Sequence, residues 1–109
     1  MFAYDDIAND KSNPFPGQVF NHPDGEDVYA GVKIDYSGRD VTPKNFLHVL
    51  KGEAAAMIGV GTGKVLKSTS NSKVFINFAD HGAPGLIAFP IGVLYADDLN
   101  DALNYMNTN

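Results

Sequence analysis

Cysteine is missing from all 109 residues. Disulfides, thiolate metal sites and a nucleophilic thiol within this chain are therefore excluded. Basic residues are sparse too: eight Lys and Arg stand against 13 Asp and Glu, giving a formal charge of -5. A nucleic-acid footprint needs clustered Lys and Arg, and a helix lying on a membrane surface needs a basic face, so neither partner is expected. A membrane-spanning helix takes about 20 apolar residues. The most apolar stretch here, residues 85–96, is shorter and is broken by Pro90 and Gly92. Met1-Phe2-Ala3-Tyr4-Asp5-Asp6 has neither the basic nor the apolar region of a signal peptide. No Asn-x-Ser/Thr glycosylation acceptor occurs. What remains is 44% hydrophobic and 19% charged, the composition of one globular domain with a modest core.

Phe2-Ala3-Tyr4 reads as the tail of an apolar strand that Asp5-Asp6 ends. Residues 5–42 are rich in Asp, Asn, Pro and Gly and read mostly as loop. A hairpin is expected inside it, pairing Gln18-Val19-Phe20 with Asp27-Val28-Tyr29 across a turn at His22-Pro23-Asp24-Gly25-Glu26, with Gly25 at positive φ. A loop this long points to a surface excursion near a binding face.

A helix start is well marked. Thr42 can cap it, Pro43 suits the first helical position, and Val41 with Phe46 forms a hydrophobic staple. Phe46, Leu47 and Leu50 make its apolar stripe, with Val49 beside it. Gly52 is placed to end it, with Ala54 to Met57 as the alternative continuation. Further on, Val74-Phe75-Ile76-Asn77-Phe78-Ala79 is nearly continuous in apolar residues. That pattern predicts a strand covered on both faces, as in a parallel sheet. Residues 85–89 form a second strand candidate that Pro90 ends. A last helix is expected from a cap at Asp97, burying Leu99, Leu103 and Met106 with Ala102 adjacent.

Asp80-His81-Gly82 directly follows the apolar strand. In open α/β sheets functional groups collect beyond the carboxyl ends of strands, where an imidazole can move protons near neutral pH. Gly82 lacks a Cβ, so its N–H can approach a substrate oxygen as an oxyanion donor must. Taken alone, a histidine at a strand end is more often a turn residue, and Asp-His-Gly is short and common.

Other candidates are weaker. Gly59-Val60-Gly61-Thr62-Gly63-Lys64 resembles a phosphate loop only superficially, because Ile58 and Val65 stand where Gly and Ser or Thr are needed. His22 and His48 have no ligand at helical or turn spacing and read as solvated or structural. Asp97, Asp98 and Asp101 at a helix start favour the positive end of its dipole, which explains them without calcium.

Many segments taken in order carry a resemblance. Asp5-Asp6-Ile7-Ala8, Asn21-His22-Pro23-Asp24-Gly25-Glu26-Asp27-Val28-Tyr29-Ala30-Gly31-Val32 and Asp35-Tyr36-Ser37-Gly38 are similar to consecutive segments of the legumains, or asparaginyl endopeptidases. So are Val41-Thr42-Pro43-Lys44-Asn45-Phe46, Gly61-Thr62-Gly63-Lys64-Val65-Leu66-Lys67-Ser68, Phe78-Ala79-Asp80-His81-Gly82 and Leu94-Tyr95-Ala96-Asp97-Asp98-Leu99-Asn100. The resemblance implies an α/β, caspase-like three-layer fold, incomplete here, with residues 1–109 as part of a peptidase catalytic domain. It implies His81 as the catalytic histidine and Gly82 as an oxyanion donor. Peptides with Asn at P1 would be the substrates, no cofactor would be needed, and the setting would be lysosomal or vacuolar. The family's cysteine, in a Glu-Ala-Cys segment, and the asparagine that orients the histidine would lie outside this stretch, so the chain alone is expected to be inactive. Two other readings stay open: a fragment of the related lipid-anchor transamidase, and a non-catalytic binding fragment. An uncovered apolar strand also predicts self-association through exposed sheet edges.

Overall fold

Two tyrosines anchor the first sheet. In the computed structural model, which describes residue 1 and residues 3–109, β1 (Ala3–Tyr4) pairs in parallel with β2 (Tyr36–Ser37), Ala3 against Tyr36 and Tyr4 against Ser37. The expected strand tail is there at Ala3 and Tyr4; Phe2 lies outside the described residues. Between them runs the expected long excursion, which contains one short 3-10 turn at Ile7–Asn9. The hairpin foreseen within it does not form a ladder. One backbone bond joins its arms, Val28 N–H to the Val19 carbonyl at 2.8 Å. Asp27 replaces the rest, its Oδ1 accepting from the N–H of both Val19 (3.0 Å) and Tyr29 (2.9 Å). A side chain that takes both donors leaves the strands nothing to exchange. Gly25 is not at positive φ; its N–H closes a turn on the His22 carbonyl at 3.0 Å. Glycine is common at that last turn position for other reasons.

Helix α1 (Pro43–Lys51) forms as its sequence dictates. Thr42 Oγ1 accepts from the Asn45 N–H at 3.2 Å, and Pro43 occupies the first turn. Gly52 ends it in the left-handed conformation, φ 72°, and a Cβ there would meet the Leu66 carbonyl oxygen at 2.8 Å. Ala54–Met57 is a separate 3-10 turn, so the helix stops at the glycine. Val49 and Leu50 are buried, while Phe46 and Leu47 are half-buried. Val49 joins Tyr36, Met57 and Val65 in a core cluster, with Val41, Val60 and Leu66 packed against it.

The Gly59-Lys64 loop turns out to be a clasp. Thr62 donates from its N–H to the Asp35 carbonyl (3.0 Å) and from its hydroxyl to Asp35 Oδ1 (2.9 Å). Gly61 donates to Asp40 Oδ2 at 3.1 Å, and a Cβ on it would sit 2.1 Å from the Asp35 carbonyl oxygen. The glycine is there for close approach to β2. The Tyr36 hydroxyl donates to the Lys64 carbonyl and completes the closure. Burial, with the charges of Asp35 and Asp40 adding to it, pushes that phenol up.

The C-terminal third is a small antiparallel sheet running straight into a helix. β3 (Gly82–Ala83) pairs with β4 (Leu86–Ala88), and β4 with β5 (Val93–Tyr95). β4 lies within the strand expected at residues 85–89. Helix α2 (Ala96–Thr108) begins directly after β5. Its N-cap position is Tyr95 rather than Asp97, because the strand enters the helix without a loop to present a capping side chain. Asp97 and Asp98 occupy the first turn, where the helix dipole favours them. The buried face of α2 centres on Ala102, with Leu99 and Met106 half-buried on either side; α2 packs there against α1. Leu103, expected inside, is 42% exposed because it lies about 100° around the helix from Ala102.

The largest departure concerns residues 74–79, expected as an interior strand. All six are exposed and belong to no strand. Among the described residues, no hydrogen bond reaches the backbone of residues 73–79. A strand covered on both faces needs a neighbour on each edge, and this one has none among the described residues. The radius of gyration of the stretch is 15.4 Å, against about 13 Å for a compact domain of this length.

Candidate active site

His81 sits at the junction between this open segment and the β3–β4 hairpin, and it is exposed. Its backbone is held at both ends. The N–H donates to Oδ1 of the preceding Asp80 at 2.6 Å, and the carbonyl accepts from Ala88 N–H at 2.8 Å. Because His81 and Ala88 form a hydrogen-bonded pair, the next pair, Gly82 with Ile87, is a non-bonded one. The Gly82 N–H therefore points away from β4, toward solvent. A Cβ at residue 82 would lie 3.2 Å from the Leu86 carbonyl oxygen, so glycine also suits the tight hairpin.

An aromatic clamp does the positioning that an interior strand was expected to do. Phe78, three residues before His81, has ring centroids 5.2 Å from Phe89 and 6.3 Å from Phe46, and those two rings are 5.6 Å apart. Rings at these spacings attract beyond their buried area. Phe46 belongs to α1 and Phe89 follows β4, so the clamp ties the residues before the histidine to both. Nothing in the spacing of Phe46, Phe78 and Phe89 announced this triad; only a chain trace brings them together.

Beside the clamp lies an open cleft of about 650 Å³ between β1, α1 and residues 74–80. Tyr4, Tyr36, Asn45, Phe46 and Phe78 are among its walls, and Asp80 reaches it, but His81 is not part of its lining. The expectation of a histidine at a cleft mouth is met only through its neighbour. Tyr4 donates to Asp6 Oδ1 at 2.8 Å, and its ring lies 5.7 Å from that of Tyr29. Burial first, then hydrogen bonding to Tyr29 and Asp6, pushes the Tyr4 phenol up.

The other histidines have local partners. His48 Nδ1 contacts Glu53 Oε2, closing the end of α1, and His22 Nδ1 accepts from Asp24 N–H at 3.2 Å. Among the described residues no three His, Asp or Glu side chains are grouped to hold a metal ion.

Comparison with known families gives a match to the peptidase C13 family across residues 1–109. The chain belongs to the peptidase C13 family. C13 relatives of the chain include cattle legumain (Bos taurus), 58% identical over 106 residues that make up 97% of this chain and 24% of that protein. The hemoglobinase of Schistosoma japonicum is 53% identical over 105 residues, 96% of this chain and 24% of its own length. The vacuolar-processing enzyme of Vicia sativa is 49% identical over 104 residues, 94% and 21% respectively. The chain thus spans about a quarter of the length of the curated C13 relatives it matches. C13 enzymes are cysteine peptidases, and this stretch carries the family pattern without a cysteine.

Proposed function

We propose that residues 1–109 are the histidine-bearing part of a legumain-type catalytic domain of caspase-like α/β fold. The parent reaction is hydrolysis of peptide bonds after Asn and, less readily, Asp. The observation that carries this reading is His81-Gly82, exposed and held by backbone bonds on both sides, in a chain about half or more identical to legumains throughout its length. In that reaction a thiolate attacks the carbonyl carbon after Asn. The Gly82 N–H supports the oxyanion, and the C–N bond breaks as His81 protonates the departing amine. Water, activated by the same imidazole, then releases the thioester. The thiolate must come from outside these residues, so the chain alone is inactive. The lysosome or vacuole is the proposed setting.

A chimera tests this: cattle legumain with its matching quarter replaced by this chain. Cleavage of an Asn-P1 peptide is expected, falling by about 10²–10⁴-fold in His81→Ala. Retained cleavage in that variant would remove His81 from the mechanism. Turnover by the isolated chain, abolished by His81→Ala, would overturn the claim of inactivity. A second reading, a non-catalytic associating chain, is favoured by the open segment at residues 74–79.

A further inference from the structure

Lys67-Ser68-Thr69-Ser70-Asn71-Ser72-Lys73 holds no apolar side chain, and every residue of it is exposed. It joins the clasped core, to which Leu66 belongs, to the apolar run that begins at Val74. A run with nothing to bury stays at the surface whatever chain flanks it. Among the described residues its hydrogen bonds are local. The Ser72 N–H donates to the Thr69 carbonyl and the Thr69 N–H to Ser72 Oγ, each at 2.9 Å, and the two hydroxyl oxygens lie 3.4 Å apart. Opening this tip into the extended form that a peptide-binding groove takes gives up only those contacts.

We infer that the Asn71–Ser72 bond is a processing site, cut in trans by a peptidase with the Asn specificity proposed above, on which this reading rests. Asn71 makes no side-chain hydrogen bond among the described residues. Its carboxamide is therefore available to a P1 pocket that pairs with both its donors and its acceptor. Exposed tips built of small polar residues are also where proteolytic nicking concentrates. In the reaction the C–N bond between Asn71 and Ser72 breaks. Water supplies the oxygen of the new Asn71 carboxylate, and the Ser72 nitrogen leaves as an amine. The cut falls between elements, so no helix or strand is severed.

The remaining asparagines each lack one of these properties. Asn45 lies in α1, and Asn100, Asn104 and Asn107 lie in α2, where a helical backbone does not fit an extended groove. Asn9 ends a 3-10 turn with its amide on Asp6 Oδ1 at 2.7 Å, and Asn109 follows α2 with its amide on the Tyr105 carbonyl at 2.9 Å. The Asn13 amide is taken up by the Ile7, Ala8 and Gln18 carbonyls, and Pro14 comes next. Asn21 is exposed but runs straight into the turn that Gly25 N–H closes on the His22 carbonyl at 3.0 Å. Asn77 precedes Phe78, which is held by Phe46 and Phe89, and it belongs to the run that the proposed caspase-like sheet would take up.

Cattle legumain, checked first on an Asn-P1 peptide, supplies the protease, and mass spectrometry of the products reads the site. From this chain, a pair of products ending at Asn71 and starting at Ser72 is expected to form at least about tenfold faster than products of a cut after any other asparagine. Asn71→Gln, one methylene longer, is expected to slow that cut about tenfold or more. The legumain chimera silenced by His81→Ala repeats the measurement with the chain set in a full-length domain, and its result decides if the two differ. Cutting after Asn77 or Asn104 as fast as after Asn71 would overturn the site. So would an intact Asn71–Ser72 bond once the peptide has been consumed. The chimera with His81 in place separates this from the proposed function: no peptide cleavage by it, while cattle legumain still cuts at Asn71, would overturn the function and leave the site standing.

Discussion

Residues 35–66 and residues 67–81 differ in how their polar backbone is used. In the first stretch, α1 is capped at both ends and the Gly61 clasp returns the chain to β2. Tyr36, Val49, Met57 and Val65 are buried between them. In the second, a run just as apolar lies exposed, and one ring, Phe78, packs against Phe46 and Phe89. Apolar side chains alone do not make a core. The backbone that carries them must also have its hydrogen bonds answered, and only the first stretch does this within its own length.

Substitutions in dilute solution can break this contrast, each read as the midpoint of urea unfolding. Met57→Ala empties a site that is 0% exposed and is expected to cost about 2–5 kcal/mol. Gly61→Ala drives a Cβ toward the Asp35 carbonyl and is expected to cost about 2–4 kcal/mol, with the clasp amides losing exchange protection. Thr42→Ala removes the α1 cap at about 1 kcal/mol. Phe75→Ser, in the open segment, should change stability by no more than about 0.5 kcal/mol. A large loss there would mean that the segment is held as firmly as the core.

Acid sharpens the same comparison more gently. The hydrogen bond to His48 holds the Glu53 carboxyl below its ordinary value of 4.5; burial opposes it, and the charges of His48 and Lys51 add to it to a lesser degree. The folded chain therefore binds fewer protons at this group than the unfolded chain does. The contribution is full above the ordinary glutamate range and is lost as pH falls through the lowered value. Glu53→Gln is expected to flatten the acid limb of a stability–pH curve and to leave the neutral region nearly unchanged.

What could be read in advance follows the same division. The cap at Thr42, the stop at Gly52 and the strand within residues 85–89 were legible because each rests on neighbours in sequence. The interior strand at residues 74–79 was inferred from composition, but a strand exists only through its partners. Leu103 was placed inside by periodicity, which gives the width of a helical stripe but not its centre; the packing on α1 chose Ala102. His81-Gly82 stood out as a pair, whereas the rings that steady it, Phe46, Phe78 and Phe89, come from three distant parts of the chain.

The Gly61 clasp also bears on the order of events as the chain folds. It joins positions fewer than 30 residues apart and encloses a whole helix, so the search needed to form it is short and its entropic cost modest. This part should acquire structure first and without help, ahead of the open run that ends at Asp80.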